Sequence, residues 1–139
     1  MILVGIDIGK NQHTFSIIDK ETGEILSRPS AFNNNQEGFL LLIKKLSSYT
    51  KAELLIGMED TGHYHFALLK YLLDNLYTVA LINPTTTDLT RKLQGGITKN
   101  DTLDSLTICD VIGSNQRKKP YRITKVNRFD LYEQKQLTR

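Results

Sequence analysis

Residues 2–9 read Ile2-Leu3-Val4-Gly5-Ile6-Asp7-Ile8-Gly9, an apolar strand with one carboxylate set inside it. An ionised carboxylate in such surroundings is costly unless a cation or a partner compensates it, which makes Asp7 a candidate ligand. The competing reading is an Asp at the fraying end of a strand that stops at Gly9. Outward from this stretch the period-two pattern continues over residues 14–19 and 25–32, with Glu21-Thr22-Gly23-Glu24 as the turn between those two runs, and predicts an antiparallel meander. Asn34, with Glu37 three residues on, resembles a capping box. Phe39, Leu42, Ile43 and Leu46 then share one helical face up to Ser47-Ser48. Residues 54–58 form a short apolar run that reads as a buried strand. A helix is expected from Thr61-Gly62 to about residue 75, and a fifth strand over 78–82 that stops at Asn83-Pro84. The order β-β-β-α-β-α-β gives an α/β fold, a mixed five-stranded sheet with helices on its faces, in which the first and fourth strands can lie side by side in parallel. Residues 84–99, with Gly95-Gly96, read as a loop before a helix over about 100–115.

The whole chain has 139 residues, enough for a core that needs neither disulfide nor metal to fold. A single cysteine, Cys109, excludes an internal disulfide and reads as a small core filler. With no secretory leader and no apolar run near about 18 residues, the expectation is a cytoplasmic protein without a membrane partner. The net charge of +3 is unevenly spread: residues 117–139 carry eight Lys and Arg against two acids, whereas residues 1–116 carry ten against thirteen. This suggests a folded acidic body over 1–116 and a basic connector over 117–139 that opens at Arg117-Lys118-Lys119-Pro120, with residues 127–137 as the first turns of a further helix cut short. An acidic body beside a basic extension suits a metal-binding globule next to a polyanion, although a solvated linker has the same composition.

Three further carboxylates stand out. Glu59 follows the buried run directly, at the carboxyl edge of a strand where ligands of α/β sheets usually bind; a charge complementing the next helix's dipole is the alternative. Asp60 competes with it, but neighbouring side chains on a strand face opposite ways, so only one of the two can face Asp7. Asp101 and Asp104, three apart, are expected on one side of a helix together with Ile108, Val111 and Ile112. Like charges there repel, so either a cation lies between them or they sit at a frayed first turn. Leu103 and Leu106 fall on the opposite side. Asp7, Glu59, Asp101 and Asp104 form an all-oxygen donor set that favours Mg²⁺ or Mn²⁺, and two such ions suit phosphoryl transfer on nucleic acid. His13 reads as a surface residue. His63 and His65, beside Tyr64, could contact phosphate or simply end a helix, and the backbone N–H groups at Thr61-Gly62 offer a phosphate site.

In order and spacing, Gly5-Ile6-Asp7-Ile8-Gly9-Lys10, Phe32-Asn33 with Gly38-Phe39, Gly57-Met58-Glu59-Asp60-Thr61-Gly62-His63-Tyr64, Ile82-Asn83-Pro84 and Lys99-Asn100-Asp101-Thr102-Leu103-Asp104-Ser105 resemble the N-terminal domain of DEDD-type transposases, the insertion sequence one-ten family. The resemblance covers about residues 3–112. It implies an RNase H-like, RuvC-like domain with Asp7, Glu59, Asp101 and Asp104 as catalytic metal ligands, DNA as substrate, a guide non-coding RNA in some members, and action as a dimer or tetramer. Asp60, Asn100 and Ser105 depart from the usual small residue, Thr and Ala. The family continues into a domain with a serine nucleophile, so this chain reads as the first part of a transposase and is expected to be inactive alone. Rival readings are a stand-alone Holliday-junction resolvase, a non-catalytic nucleic-acid binding module, and half of an actin-like ATPase.

Overall fold

The computed structural model describes residues 1–84, 103–114 and 121–126. Six strands make one sheet in the order β3-β2-β1-β4-β5-β6: β1 Ile2–Asp7, β2 Gln12–Asp19, β3 Ile25–Asn33, β4 Leu54–Glu59, β5 Val79–Pro84 and β6 Tyr121–Val126. β1 and β4, and β4 and β5, run parallel, while the β1–β2, β2–β3 and β5–β6 pairs are antiparallel. The mixed α/β sheet agrees with an RNase H-like fold. Its sixth strand corrects the five expected, and it comes from the segment read as a connector. There Arg122 and Lys125 are set among the β-branched Ile123, Thr124 and Val126, so an edge strand carries the charge that looked like linker. The helix expected over 127–137 and the loop expected over 84–99 lie outside the described residues, Pro84 apart.

The side-chain alternation of β1 and β4 divides the interior into two cores. Ile2, Val4 and Ile6 with Leu54, Ile56 and Met58 pack against helices α1 (Gln36–Leu46) and α2 (Phe66–Asp74) through Phe39, Leu42, Leu68 and Leu72. On the other face Leu3 and Leu55 pack against α3 (Ser105–Gly113) through Ile108, Cys109, Val111 and Ile112. β1 is buried on both sides, which explains its nearly unbroken apolar run.

Local chemistry sets the ends of the elements. The β2–β3 turn is held by Asp19, whose carboxylate accepts from the Glu21 N–H at 2.9 Å, and by Gly23 at φ +76°. The cap of α1 is Asn35, one residue after the expected Asn34; its side chain accepts from the Gly38 N–H at 2.9 Å. α2 begins at Phe66, later than Thr61-Gly62, because residues 61–65 form a separate loop with Gly62 at φ +82°. It ends with Leu76 in the left-handed region at φ +69°, its N–H and that of Tyr77 bonded to the carbonyls of Leu73 and Leu72, a Schellman closure without the usual glycine. Among the described residues no helix is long and apolar enough to cross a membrane.

Candidate active site

Parallel pairing brings the carboxyl ends of β1 and β4 to one edge, and the register Gly5 with Gly57 and Ile6 with Met58 sets Asp7 beside Glu59. By alternation these two carboxylates share the sheet face that α3 covers. The same face carries Gly5 and Gly57, which are register partners. A Cβ on Gly5 would collide with the Ser105 carbonyl oxygen and come within 2.9 Å of the Cys109 nitrogen and sulfur; one on Gly57 would lie 2.6 Å from Ile112 Cγ2. Helix α3 is therefore seated directly on backbone, and its amino end is fixed beside Asp7. A buried hydrogen bond of 2.6 Å between the Ser16 and Ser105 hydroxyls secures that end to β2. Cys109, in the same contact, is buried, and burial pushes its thiol up to about 12, as suits a core filler.

Asp104 is the N-cap of α3, with extended backbone (φ −79°, ψ 171°), and its Oδ1 accepts from the Thr107 N–H at 2.8 Å. That bond holds its carboxyl below the ordinary value. Of the helix expected over about 100–115, the described residues show a helix from Ser105 to Gly113, with Asp104 as its cap and not within its turns. As the cap, Asp104 folds its carboxylate back over the first turn at the open end of the helix, and it is exposed rather than inside. Asp101 lies outside the described residues.

Asp7 is partly buried, and its carboxyl is raised above the ordinary value, first by burial and then by the charge of Asp104. The two side chains thus feel each other across the space between β1 and α3. Glu59 Oε1 accepts from the Leu103 N–H at 2.9 Å, which moors the residues leading into α3 to the end of β4. Asp60 points elsewhere: its Oδ1 accepts from the Gly62 N–H at 2.8 Å and stands 3.4 Å from His65 Nε2. Of the Glu59–Asp60 pair it is Glu59 that belongs to the Asp7 side.

Two histidines differ from expectation. His13 is fully buried rather than on the surface, since position 13 faces inward with Phe15 and Ile17. Its Nδ1 accepts from the Gly9 N–H at 3.1 Å and its ring meets Phe32 edge-on, so it braces the turn after Asp7. His65 is buried too, with Nδ1 3.2 Å from Thr61 Oγ1, and its backbone N–H donates to the same oxygen. Thr61 and Gly62 therefore build a loop, and no helix N-terminus stands there to take phosphate. Leu103 packs against the α3 core instead of facing away.

The gathered donors are all carboxylate oxygens, a set suited to a hard divalent cation, and the repulsion between Asp7 and Asp104 is what such a cation relieves. Among the described residues no group of three or more metal-ligating side chains closes up. Neither the glycine seat nor Ser16 stands out in the sequence, and His13 reads there as a surface residue; alternation along β1 and β4 is the signal that places both glycines with Asp7 and Glu59.

Over residues 4–139 the chain matches the model of a family described as Transposase, the DEDD transposases of IS110 type. The chain belongs to that family. The match extends past residue 112 to the last residue of the sequence. Among curated proteins this transposase-family chain is similar to the "Pilin gene-inverting protein" of Moraxella lacunata and to that of Moraxella bovis, at 29% identity over 107 residues in each case. These alignments take in 76% of the chain but 32% of each relative, so the chain spans about a third of the length of the curated relatives it matches.

Proposed function

We propose that this domain is the metal-dependent catalytic part of a DNA transposase or recombinase. In this reading Asp7, Glu59 and Asp104, with Asp101, hold Mg²⁺ or Mn²⁺ at the carboxyl edge of β1 and β4. The observation that carries it is the convergence of carboxylates at one edge: parallel register sets Asp7 beside Glu59, and the helix seated on Gly5 brings its Asp104 cap to the same end. Nothing in core packing requires two carboxylates there, and a fold gains from the arrangement when a cation is shared between them. The inversion of a pilin gene, by which the two Moraxella relatives are named, supports DNA as the substrate.

When bound, divalent ions supply a lowered pKa for the attacking water or hydroxyl and neutralise charge at the scissile phosphate. The residues of the chain supply position. Gly5 and Gly57 let α3 approach, Ser16 and Ser105 fix its first turn, Thr107 orients the Asp104 carboxylate, and the Leu103 N–H orients that of Glu59. Buried His13 holds the Gly9 N–H and so the turn that follows Asp7.

Titration of the chain with Mn²⁺, followed by calorimetry and by the rise in melting temperature, tests the assignment. Binding that weakens at least about tenfold in Asp7→Asn and in Asp104→Asn is expected. No thermal shift with either ion, together with parental behaviour of Asp104→Asn in Mn²⁺ binding and in transposition by the longer protein, would overturn it.

A further inference from the structure

Beside the carboxylates, on the α1 and α2 side of the same edge, an open cavity of about 370 Å³ is lined by Asn34, Gly62, His63, Tyr64, Phe66 and Ala67. Two of its walls are aromatic rings left in solvent: Tyr64 is 42% and Phe66 48% exposed. Their exposure is built in. Glu59 ends β4, and from Asp60 onward the loop is braced internally by the Asp60–Gly62 bond, the Asp60–His65 contact and the Thr61–His65 pair of bonds. His65 is drawn inward by that bracing, which turns His63 and Tyr64 outward, where their rings meet edge-to-face at 5.3 Å. The opposite wall, Asn34, donates from Nδ2 to the Lys10 carbonyl at 3.1 Å, so the exposed turn carrying Lys10, three residues after Asp7, abuts the cavity. One short edge thus presents carboxylates, an exposed lysine and two partly exposed aromatic rings.

We propose that this cavity takes one unpaired nucleobase of the DNA strand being cut, stacked on Tyr64 and Phe66, with the adjoining backbone phosphate near Lys10. The inference rests on the reading above that the strand lies across the carboxylate edge. The occupant follows from the chemistry. Exposed aromatic rings stack bases irrespective of sequence, an exposed lysine on the neighbouring turn suits the phosphate, and a loop continuous with Glu59 brings the stacked base toward the carboxylate edge. A base inside a duplex has both faces covered by its stacked neighbours, so the cavity selects a strand that is open at this position.

The test uses the 139-residue chain in EDTA, with a fluorescein-labelled single-stranded DNA dodecamer and the corresponding duplex, read by anisotropy. Tyr64→Ala combined with Phe66→Ala is expected to weaken single-strand binding at least about tenfold, the scale of losing one stacked base. Tyr64→Phe is expected to bind within about twofold of the parent, and Leu41→Ala, an exposed apolar position on α1, to bind as the parent does. In the parent chain a strand carrying 2-aminopurine should lose fluorescence on binding. Absence of that quenching, duplex affinity equal to single-strand affinity, or unchanged single-strand affinity in the double variant overturns the proposal, as does a double variant that loses self-association instead of DNA affinity. No metal is present, so the result stands apart from the carboxylate assignment, which fails separately if Asp104→Asn leaves Mn²⁺ affinity intact.

Discussion

The two faces of the sheet are packed by different means. On one, α1 and α2 are held off the strands by large aliphatic and aromatic side chains, with Leu42, Leu46, Leu68 and Leu72 fully buried. On the other, α3 lies against the backbone at Gly5, and the side chains of Ile108 and Ile112 reach Gly57. The first face gathers apolar area and tolerates exchange of one side chain for another of like volume. The second gives up area for closeness, and that closeness puts the Asp104 cap beside Asp7. Stability resides mainly in the first core and position in the second.

The largest effects test that division. Leu72→Ala is expected to cost about 3 kcal/mol through the cavity it leaves, yet the molecules that stay folded should bind Mn²⁺ with parental affinity. Gly5→Ala is expected to cost a similar amount, about 3 kcal/mol, because its Cβ meets backbone that cannot move aside, and here the folded fraction should lose Mn²⁺ affinity as α3 is lifted. Urea unfolding combined with calorimetric titration separates the two; equal metal affinity in both variants would erase the distinction between the faces. Gly57→Ala should be milder, about 1–2 kcal/mol, since it presses on the Ile112 side chain, and Ile112→Val should recover part of that loss.

At the next level, Ser16→Ala strands the Ser105 hydroxyl inside the protein and is expected to cost about 2 kcal/mol, whereas the Ser16→Ala/Ser105→Ala pair should cost less than the single change. A purely additive result in a double-mutant cycle would show that the bond does not secure α3. Leu76→Gly works on the other face, relieving the left-handed residue that closes α2, and should stabilise by about 1 kcal/mol in the same unfolding measurement.

The smallest effect is on pH. Burial holds the His13 and His65 imidazoles below their ordinary value of 6.5. The unfolded chain therefore takes up protons at a higher pH than the folded one. Stability attributable to these groups is complete above about pH 6.5 and declines as the pH falls toward the lowered folded values. His13→Gln should flatten that decline in melting temperature between pH 7 and 5; an unchanged slope would remove His13 from the account.

Much of this was legible in the sequence, for a physical reason. β1 and β4 are buried on both faces, so their apolar runs declare themselves, and the carboxylates that close them are conspicuous because burial makes them costly. The misreadings arose where one residue type serves two roles. Asp104 looked like one rung of a helical pair, but an aspartate at a helix start serves as well as a cap, and only backbone geometry distinguishes the two. Thr61 looked like a helix opener although its hydroxyl serves His65 within a loop. β6 was hidden because Arg122 and Lys125 on an edge strand have the composition of a linker. His13 was misplaced through its polarity, even though its parity with Phe15 and Ile17 already set it inward. Gly5 and Gly57 were present in the motifs, but that they face each other across two strands is a fact of register, invisible until the strands are paired.

That register has a consequence for how the molecule finds its native state. If β1 slid by one residue against β4, Gly5 would face Ile56 or Met58 in place of Gly57, side chains would be interposed where α3 must lie, and the helix could not dock. The slip would also take Ile56 and Met58 out of the core under α1 and α2 and turn Glu59 toward it, so both faces would lose. The glycine pair therefore ties docking to register: the alignment that sets Asp7 beside Glu59 is the one that leaves room for α3.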